Sequence, residues 1–175
     1  MGYMEIALLP KSGLRIKGKQ AVLAIDSQDK AVYPAVLLMN KTSEEVNKTD
    51  ETVVIAGTGE YEVGGIKMSG IRVEGSTIYS MTVDGVSILL GNLNSLEKIH
   101  AKLQDHHIIV VNCNEVGNTS FITALVENVI IFSGEKAAEV VQGFGKEGVK
   151  NMNKYTVTKD KLPAEVETIL LTSSV

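Results

Sequence analysis

The chain has no tryptophan, three phenylalanines, one cysteine and three histidines in 175 residues. Each scarcity removes a class of function. So few aromatics leave no platform for stacking single-stranded bases. The lone Cys113 cannot form an internal disulfide and suits a reducing compartment. His100, His106 and His107 are all the imidazoles available to a metal or a proton transfer. Neither sign of charge dominates: the net charge of -4 gives no basic footprint for nucleic acid or anionic membrane. No apolar run is long enough to span a bilayer. The opening MGYMEIALLPKSGLRIKGK carries only a short apolar run broken by charge, unlike a signal peptide. The expected setting is the cytoplasm, with no nucleic-acid and no membrane partner.

What is present fits one domain over residues 1–175, long enough to bury a core. The organising stretch is Thr52 to Asn92, TVVIAGTGEYEVGGIKMSGIRVEGSTIYSMTVDGVSILLGN. It reads as a meander of apolar runs between Gly pairs. Gly64-Gly65 and Asp84-Gly85 are hairpin signals, because tight primed turns need positive φ. Ser76–Val83 alternates Ile78, Ser80 and Thr82 against Thr77, Tyr79 and Met81, a strand with two unlike faces.

Before the meander, residues 6–9, 14–16 and 21–25 read as short strands, with a turn at Lys17-Gly18-Lys19. Residues 35–39 are wholly apolar and predict a strand buried on both faces. Asn40–Asp50 is polar and predicts a loop with at most one helical turn. After Asn92 the period changes. Asn94-Ser95-Leu96-Glu97 is a capping-box helix start, followed by a stripe of Leu96, Ile99 and Leu103. Residues 108–111 predict a buried strand, 118–127 a short helix and 128–132 a strand. Ser133-Gly134-Glu135 predicts the opening of a helix that buries Ala137, Val140, Val141 and Phe144 and ends at Gly143, Gly145 and Gly148. Residues 155–157 and 166–171 close the chain as strands. This order predicts an α/β (α+β) domain, two mixed β-sheets with helices outside, an αββα sandwich.

Several of these stretches resemble the metallo-β-lactamase fold, in its branch of small prokaryotic zinc-dependent hydrolases. Pro10-Lys11-Ser12-Gly13-Leu14-Arg15-Ile16-Lys17-Gly18 sits in register with that family's Gly-His-Ser-Cys-Phe-Arg-Ile-Lys-Gly opening. Asp26 matches the aspartate that ends the next strand. Gly57-Thr58-Gly59-Glu60-Tyr61-Glu62-Val63 is the most specific match, to Gly-Pro-Gly-Glu-Tyr-Glu-Val. Asp84-Gly85 and Gly91-Asn92-Leu93 match an Asp-Gly hairpin and a following Gly-Asp-Leu. Leu162-Pro163-Ala164-Glu165 matches a Leu-Pro-x-Glu before the last strand.

The resemblance implies zinc-dependent hydrolysis, and the same alignment removes its ligands. The His-x-His-x-Asp-His loop is replaced by Met39–Asn47, MNKTSEEVN. The later histidine is missing where Arg72-Val73-Glu74-Gly75 runs into the next strand. The bridging aspartate is Asn92, and the last histidine falls at about Gly134. Zinc takes imidazole, thiolate or carboxylate ligands, usually three or more from the protein. The resemblance therefore implies the fold without the chemistry. A pocket left from the old site would be lined by Lys11, Asp26, Asn40, Asn92 and Gly134, with no catalytic residue, no metal ligand and no cofactor.

Other motifs are weaker. His106-His107 on one strand point to opposite faces and do not suit a shared metal. Cys113 lacks an identifiable base and reads as a packed residue. Ser133-Gly134-Glu135-Lys136 fits Ser-x-x-Lys without its partner motifs. Gly143-Phe144-Gly145-Lys146-Glu147-Gly148 fits Gly-x-Gly-x-x-Gly at a helix end, the wrong context for a dinucleotide. Glu44-Glu45 reads as a solvated loop face rather than a hard-cation site. The expected function is a catalytically silent interaction, scaffolding or ligand-sensing module with a protein or small-ligand partner, and a homo-oligomer is expected because such sandwiches expose sheet edges. The alternative is a metal-dependent hydrolase with a non-family set of Asp26, the Glu44-Glu45 loop and a histidine, in which case zinc would be the cofactor.

Overall fold

Runs of four to eight apolar-rich residues punctuated by glycine give short strands, and the computed structural model, which describes residues 3–173, arranges them in two sheets. The first sheet has the order β13-β1-β2-β3-β4-β5. Its strands are β1 (Met4–Leu8), β2 (Leu14–Lys17), β3 (Val22–Ile25), β4 (Ala35–Leu38), β5 (Val53–Ala56) and β13 (Lys154–Val157). The second has the order β12-β14-β11-β10-β9-β8-β7-β6. It is built from β6 (Gly59–Val63), β7 (Ile66–Val73), β8 (Ser76–Val83), β9 (Val86–Asn92), β10 (His106–Asn112), β11 (Val126–Ser133), β12 (Lys150–Met152) and β14 (Glu167–Leu171). Both sheets mix parallel and antiparallel pairs.

The meander is split between the sheets. Its first strand, β5, runs parallel to β4 in the first sheet, and the chain crosses to the second sheet through Gly57-Thr58. The rest is the antiparallel ladder β6-β7-β8-β9 that was expected. Its turns carry paired positive φ at Gly64-Gly65 and Asp84-Gly85, and also at Glu74-Gly75. In β8, Thr77, Tyr79 and Met81 are buried, while Ser80 and Thr82 on the other face reach partial or full exposure. Strand β4 is buried throughout, as its wholly apolar run requires.

Burial divides into three layers. Ile6, Ile16, Leu37, Tyr79, Ile88, Val110 and Ile131 form the core between the sheets. The alternate residues Leu89, Ile109 and Ile130 turn to the other face, where they pack with residues of α1 (Leu93–Ile99) and α2 (Ala137–Phe144). Both α-helices lie on this second sheet. The outer face of the first is covered by Leu9, Tyr33 and Val46 from loops.

Three local expectations change. The capping box at Asn94 does not form: α1 begins at Leu93 with Asn92 in the N-cap position and no side-chain cap bond, because Asn92 Oδ1 already accepts from the Asn40 and Asn112 amides. Residues 118–127 are not an α-helix. Asn118 Oδ1 instead accepts from the Ser120 N–H and hydroxyl, a local bond that competes with helix, and only a 3₁₀ turn at Ile122–Leu125 precedes β11. Ser133 does not cap α2: it is the last residue of β11, and Lys136 stands at the helix N-cap. Among the described residues no helix is long and apolar enough to cross a membrane.

Tyr79 ties the layers together. Fully buried on the second sheet, it directs its hydroxyl at the Leu38 carbonyl (2.8 Å) and the Ile55 carbonyl (3.2 Å) of the first. Removing that hydroxyl leaves buried carbonyl oxygen facing a phenyl edge. Tyr79→Phe is expected to lower stability by about 1–3 kcal/mol, read as a shift in the urea midpoint with unchanged slope.

Candidate functional site

Strands β9, β10 and β11 are parallel neighbours, and their last residues fall in register: Asn92 beside Asn112, Asn112 beside Ser133. All three share the parity of Ile88, Val110 and Ile131, so they continue the core-facing row at its polar end. Asn40, just past β4, approaches from the first sheet. Its amide donates to Asn92 Oδ1 (2.9 Å), and the Asn92 amide donates back to Asn40 Oδ1 (2.6 Å). The Asn92 amide also reaches Ser76 Oγ (3.0 Å), whose hydroxyl donates to Asn40 Oδ1 (2.9 Å). Asn112 Nδ2 donates to Asn92 Oδ1 (2.9 Å). Turning over either Asn40 or Asn92 would set donor against donor, so the network fixes both orientations.

Asp26 holds this arrangement from behind. It follows β3 with φ 51, and its carboxylate accepts from the backbone N–H groups of Met39 (2.9 Å), Asn40 (3.0 Å) and Lys41 (3.2 Å). Successive amides curled around one anion form a concave site that the chain fills with its own carboxylate. Burial pushes the Asp26 carboxyl above the usual carboxylate range, against the opposing pull of those amides and of Lys41. Asp26 therefore positions the loop that carries Asn40.

A cleft of about 300 Å³ opens in front of this network. Lys11, Asp26, Asn40, Lys41, Asn112 and Glu135 line it. Asn92 lines an adjoining pocket of about 200 Å³ that shares Asn112 and Asn114. Of the five residues picked out from the sequence, the structure thus places Lys11, Asp26 and Asn40 on one cleft and joins Asn92 to them by hydrogen bonds. Gly134 lies behind Asn112: a Cβ there would stand 2.8 Å from Asn112 Oδ1 and 2.9 Å from both N and O of Cys113. Asn112 and Ser76 were missed. Asn112 reads as the tail of an apolar strand, and only the register of β10 against β9 brings it to Asn92.

The remaining candidates lie apart or are occupied. The Cys113 thiol is buried and pushed up to about 12 by desolvation, which makes it inert as a nucleophile. The Glu45 carboxylate turns back to accept from the Thr42 N–H (2.9 Å) and hydroxyl (3.1 Å). His100 packs its ring on Phe121, with 5.5 Å between centroids. His106 and His107 take separate serine partners, Ser80 and Ser87. Gly143 and Gly145 form the last turn and C-cap of α2. Asp26, Glu44-Glu45 and a histidine are therefore not brought together, and among the described residues no three His, Cys, Asp or Glu side chains converge as a metal group would require.

No protein-family model and no curated protein matches the sequence. Solved structures do. A protein from Thermotoga maritima assigned to the Zn-dependent hydrolases of the metallo-β-lactamase superfamily superposes with a TM-score of 0.70 at 14% identity, covering 96% of this chain and 98% of the other. A metal-dependent hydrolase assignment from Parabacteroides distasonis gives 0.58 at 7%, covering 94% and 92%. The metallo-β-lactamase fold protein YhfI from Bacillus subtilis gives 0.56 at 7%, covering 95% and 96%. The chain has the metallo-β-lactamase fold. Within that fold, the positions that the sequence resemblance assigns to metal ligands hold the histidine-free segment Met39–Asn47, with Asn40 and Thr42, then Asn92 and Gly134. Amides and hydroxyls are poor donors to zinc, so the residues gathered here do not fit that ion.

The last of those positions is closed by backbone. Gly134 has φ +104, and a side chain there meets Asn112 and Cys113 at under 3.0 Å. Gly134→Ala is expected to cost about 2–4 kcal/mol, from left-handed backbone strain and overpacking together. Thermal unfolding reads it directly.

His106 gives a pH dependence. His106 Nδ1 sits 2.9 Å from the Gln104 carbonyl, which only accepts, so Nδ1 carries the proton and Nε2 accepts from the Ser80 hydroxyl (2.6 Å). Burial holds this ring below its ordinary value of 6.5. The folded state favours the neutral ring, so its contribution is full above 6.5 and is lost as pH falls through the lowered value. Stability is expected to decline from pH 7 toward pH 5, and His106→Gln is expected to flatten that part of the profile in urea titrations at stepped pH.

Proposed function

We propose that this metallo-β-lactamase-fold chain is a catalytically silent module that senses a small ligand or serves as a scaffold for a protein partner. The fold relatives assigned as metal-dependent hydrolases make hydrolysis the obvious alternative. One observation supports the silent reading. Where the resemblance calls for a bridging aspartate and a histidine loop, Asn92 and Asn40 satisfy each other with two reciprocal hydrogen bonds. A metal hydrolase needs anionic or imidazole donors to hold the ion and to lower the pKa of its bound water. Two neutral amides supply neither function, and Asn92 has both its amide protons and both its oxygen lone pairs engaged by Asn40, Ser76 and Asn112. The open cleft beside them favours ligand sensing over a role confined to the outer surface.

Metal content decides between the two readings. Elemental analysis of the purified protein is expected to find no stoichiometric zinc, iron or manganese. About one metal per chain retained through dialysis would overturn the proposal. Asn92→Asp sharpens the test, because it restores one carboxylate among groups that still cannot complete a site. It is expected to be neutral or to destabilise by about 0–3 kcal/mol. Excess zinc is expected to leave its Tm unchanged, since only a ligand that binds the native state raises it. A zinc-dependent rise of several degrees in the variant alone would return the hydrolase reading to first place.

A further inference from the structure

The cleft has more polar capacity than the network behind it consumes. Among the described residues, the side chains of Lys11, Asn114 and Glu135 line it without a hydrogen-bond or ion-pair partner. Lys41 makes a 3.8 Å, half-exposed ion pair with Glu45, of the kind that contributes little, and lies within the field of Asp26. The Asp26 oxygens themselves face three backbone N–H groups. The groups free to meet a ligand are therefore two ammonium ions, the Asn114 amide and one carboxylate.

Two further features mark the same place. Lys11 and Ser12 both adopt positive φ, 58 and 65, and neither is glycine. Consecutive left-handed residues are costly, and the loop is closed over them by the Leu9 N–H donating to the Gly13 carbonyl (2.7 Å). This conformation holds Lys11 at the cleft. Beneath, Ser133 Oγ is fully buried without a partner, in register with Asn112 on the core-facing row. The cleft also lies at the carboxyl ends of parallel strands in both sheets, β3 and β4 on one side and β9 to β11 on the other, the usual seat of ligands in such sheets.

We propose that the cleft binds a small organic anion with a single acidic head group, held between Lys11 and Lys41, and a hydroxyl-bearing body along Asn112, Asn114 and Glu135. This rests on the reading of the cleft as a ligand site. About 300 Å³ has room for a molecule of roughly ten water volumes. Glu135 accepts a hydrogen bond from a hydroxyl and repels a second negative group, so a polyanion is disfavoured. Carboxylate and phosphate heads share this chemistry, and the test separates them.

The measurement is side-chain and backbone amide NMR on the full chain, titrated separately with glycerate, glycerol 3-phosphate, citrate and glycerol. Saturable shifts of the Asn112 and Asn114 side-chain amides and of residues 11–13 are expected with glycerate or glycerol 3-phosphate, and the probe that acts identifies the head group. Citrate is expected to bind more weakly than that probe, and Glu135→Gln to narrow the gap. Lys11→Gln, an exposed position whose loss leaves the fold intact, is expected to weaken binding about tenfold, as for one charge-assisted hydrogen bond. No shift with either glycerate or glycerol 3-phosphate, equal shifts with glycerol, or an unchanged titration in folded Lys11→Gln would overturn the proposal. Metal content decides the earlier reading and anion titration decides this one, so either can fail while the other stands.

Discussion

The reciprocal amide pair Asn40–Asn92 is the constraint on which the site depends. It joins the two sheets at their open end, one residue just past β4 and the other at the end of β9. Each hydrogen bond of this kind is worth only about 1 kcal/mol net, but a half-made network at a part-buried position costs more than it returns. That asymmetry explains the number of supports around it. Asp26 fixes the backbone that presents Asn40, Ser76 takes the second Asn92 proton, and Asn112 fills the second lone pair on Asn92 Oδ1. Gly134 leaves Asn112 the space to do so.

Neutral amides at these strand ends also avoid an electrostatic difficulty. A cluster of carboxylates and imidazoles without a cation would repel itself or take up protons, because burial penalises like charges strongly. Neutral amides can sit at the same sheet ends and satisfy one another. Asp26, the buried carboxylate at this site, is faced by backbone amides and pushed up by burial. The arrangement is self-consistent as polar packing.

Much of the architecture was legible in the sequence because two-residue periodicity and Gly pairs act locally. The hairpins at Gly64-Gly65 and Asp84-Gly85, the buried strand β4 and the amphipathic face of α2 all follow from neighbours in the chain. What misled was also local. Asn118 and Ser133 are good helix-starting residues, but one closes a turn on Ser120 and the other completes a buried parallel strand. Thr52–Ala56 looked continuous with the meander, since nothing in one strand's residues says which of two sheets it will join. The candidate site was legible only where a family resemblance pointed to it. Asn112 and Ser76 came to light through strand register, which ties residues 20 and 36 positions away from their partners and leaves no mark in the sequence.

The separation between fold and site has a physical basis. Apolar burial between the sheets comes from residues such as Ile6, Leu37, Ile88 and Val110, none of which depends on the polar row at the strand ends. Tyr79 supplies a second, independent tie between the sheets through the Leu38 and Ile55 carbonyls. The packing of the sandwich and its hairpins is therefore insensitive to which polar side chains stand at the strand ends. The cleft is walled by this scaffold, and Lys11, Lys41, Asn114 and Glu135 stand at it with polar capacity to spare. A ligand there would meet those groups and the outer edge of Asn112, whereas Asn92 behind them already has both amide protons and both oxygen lone pairs engaged.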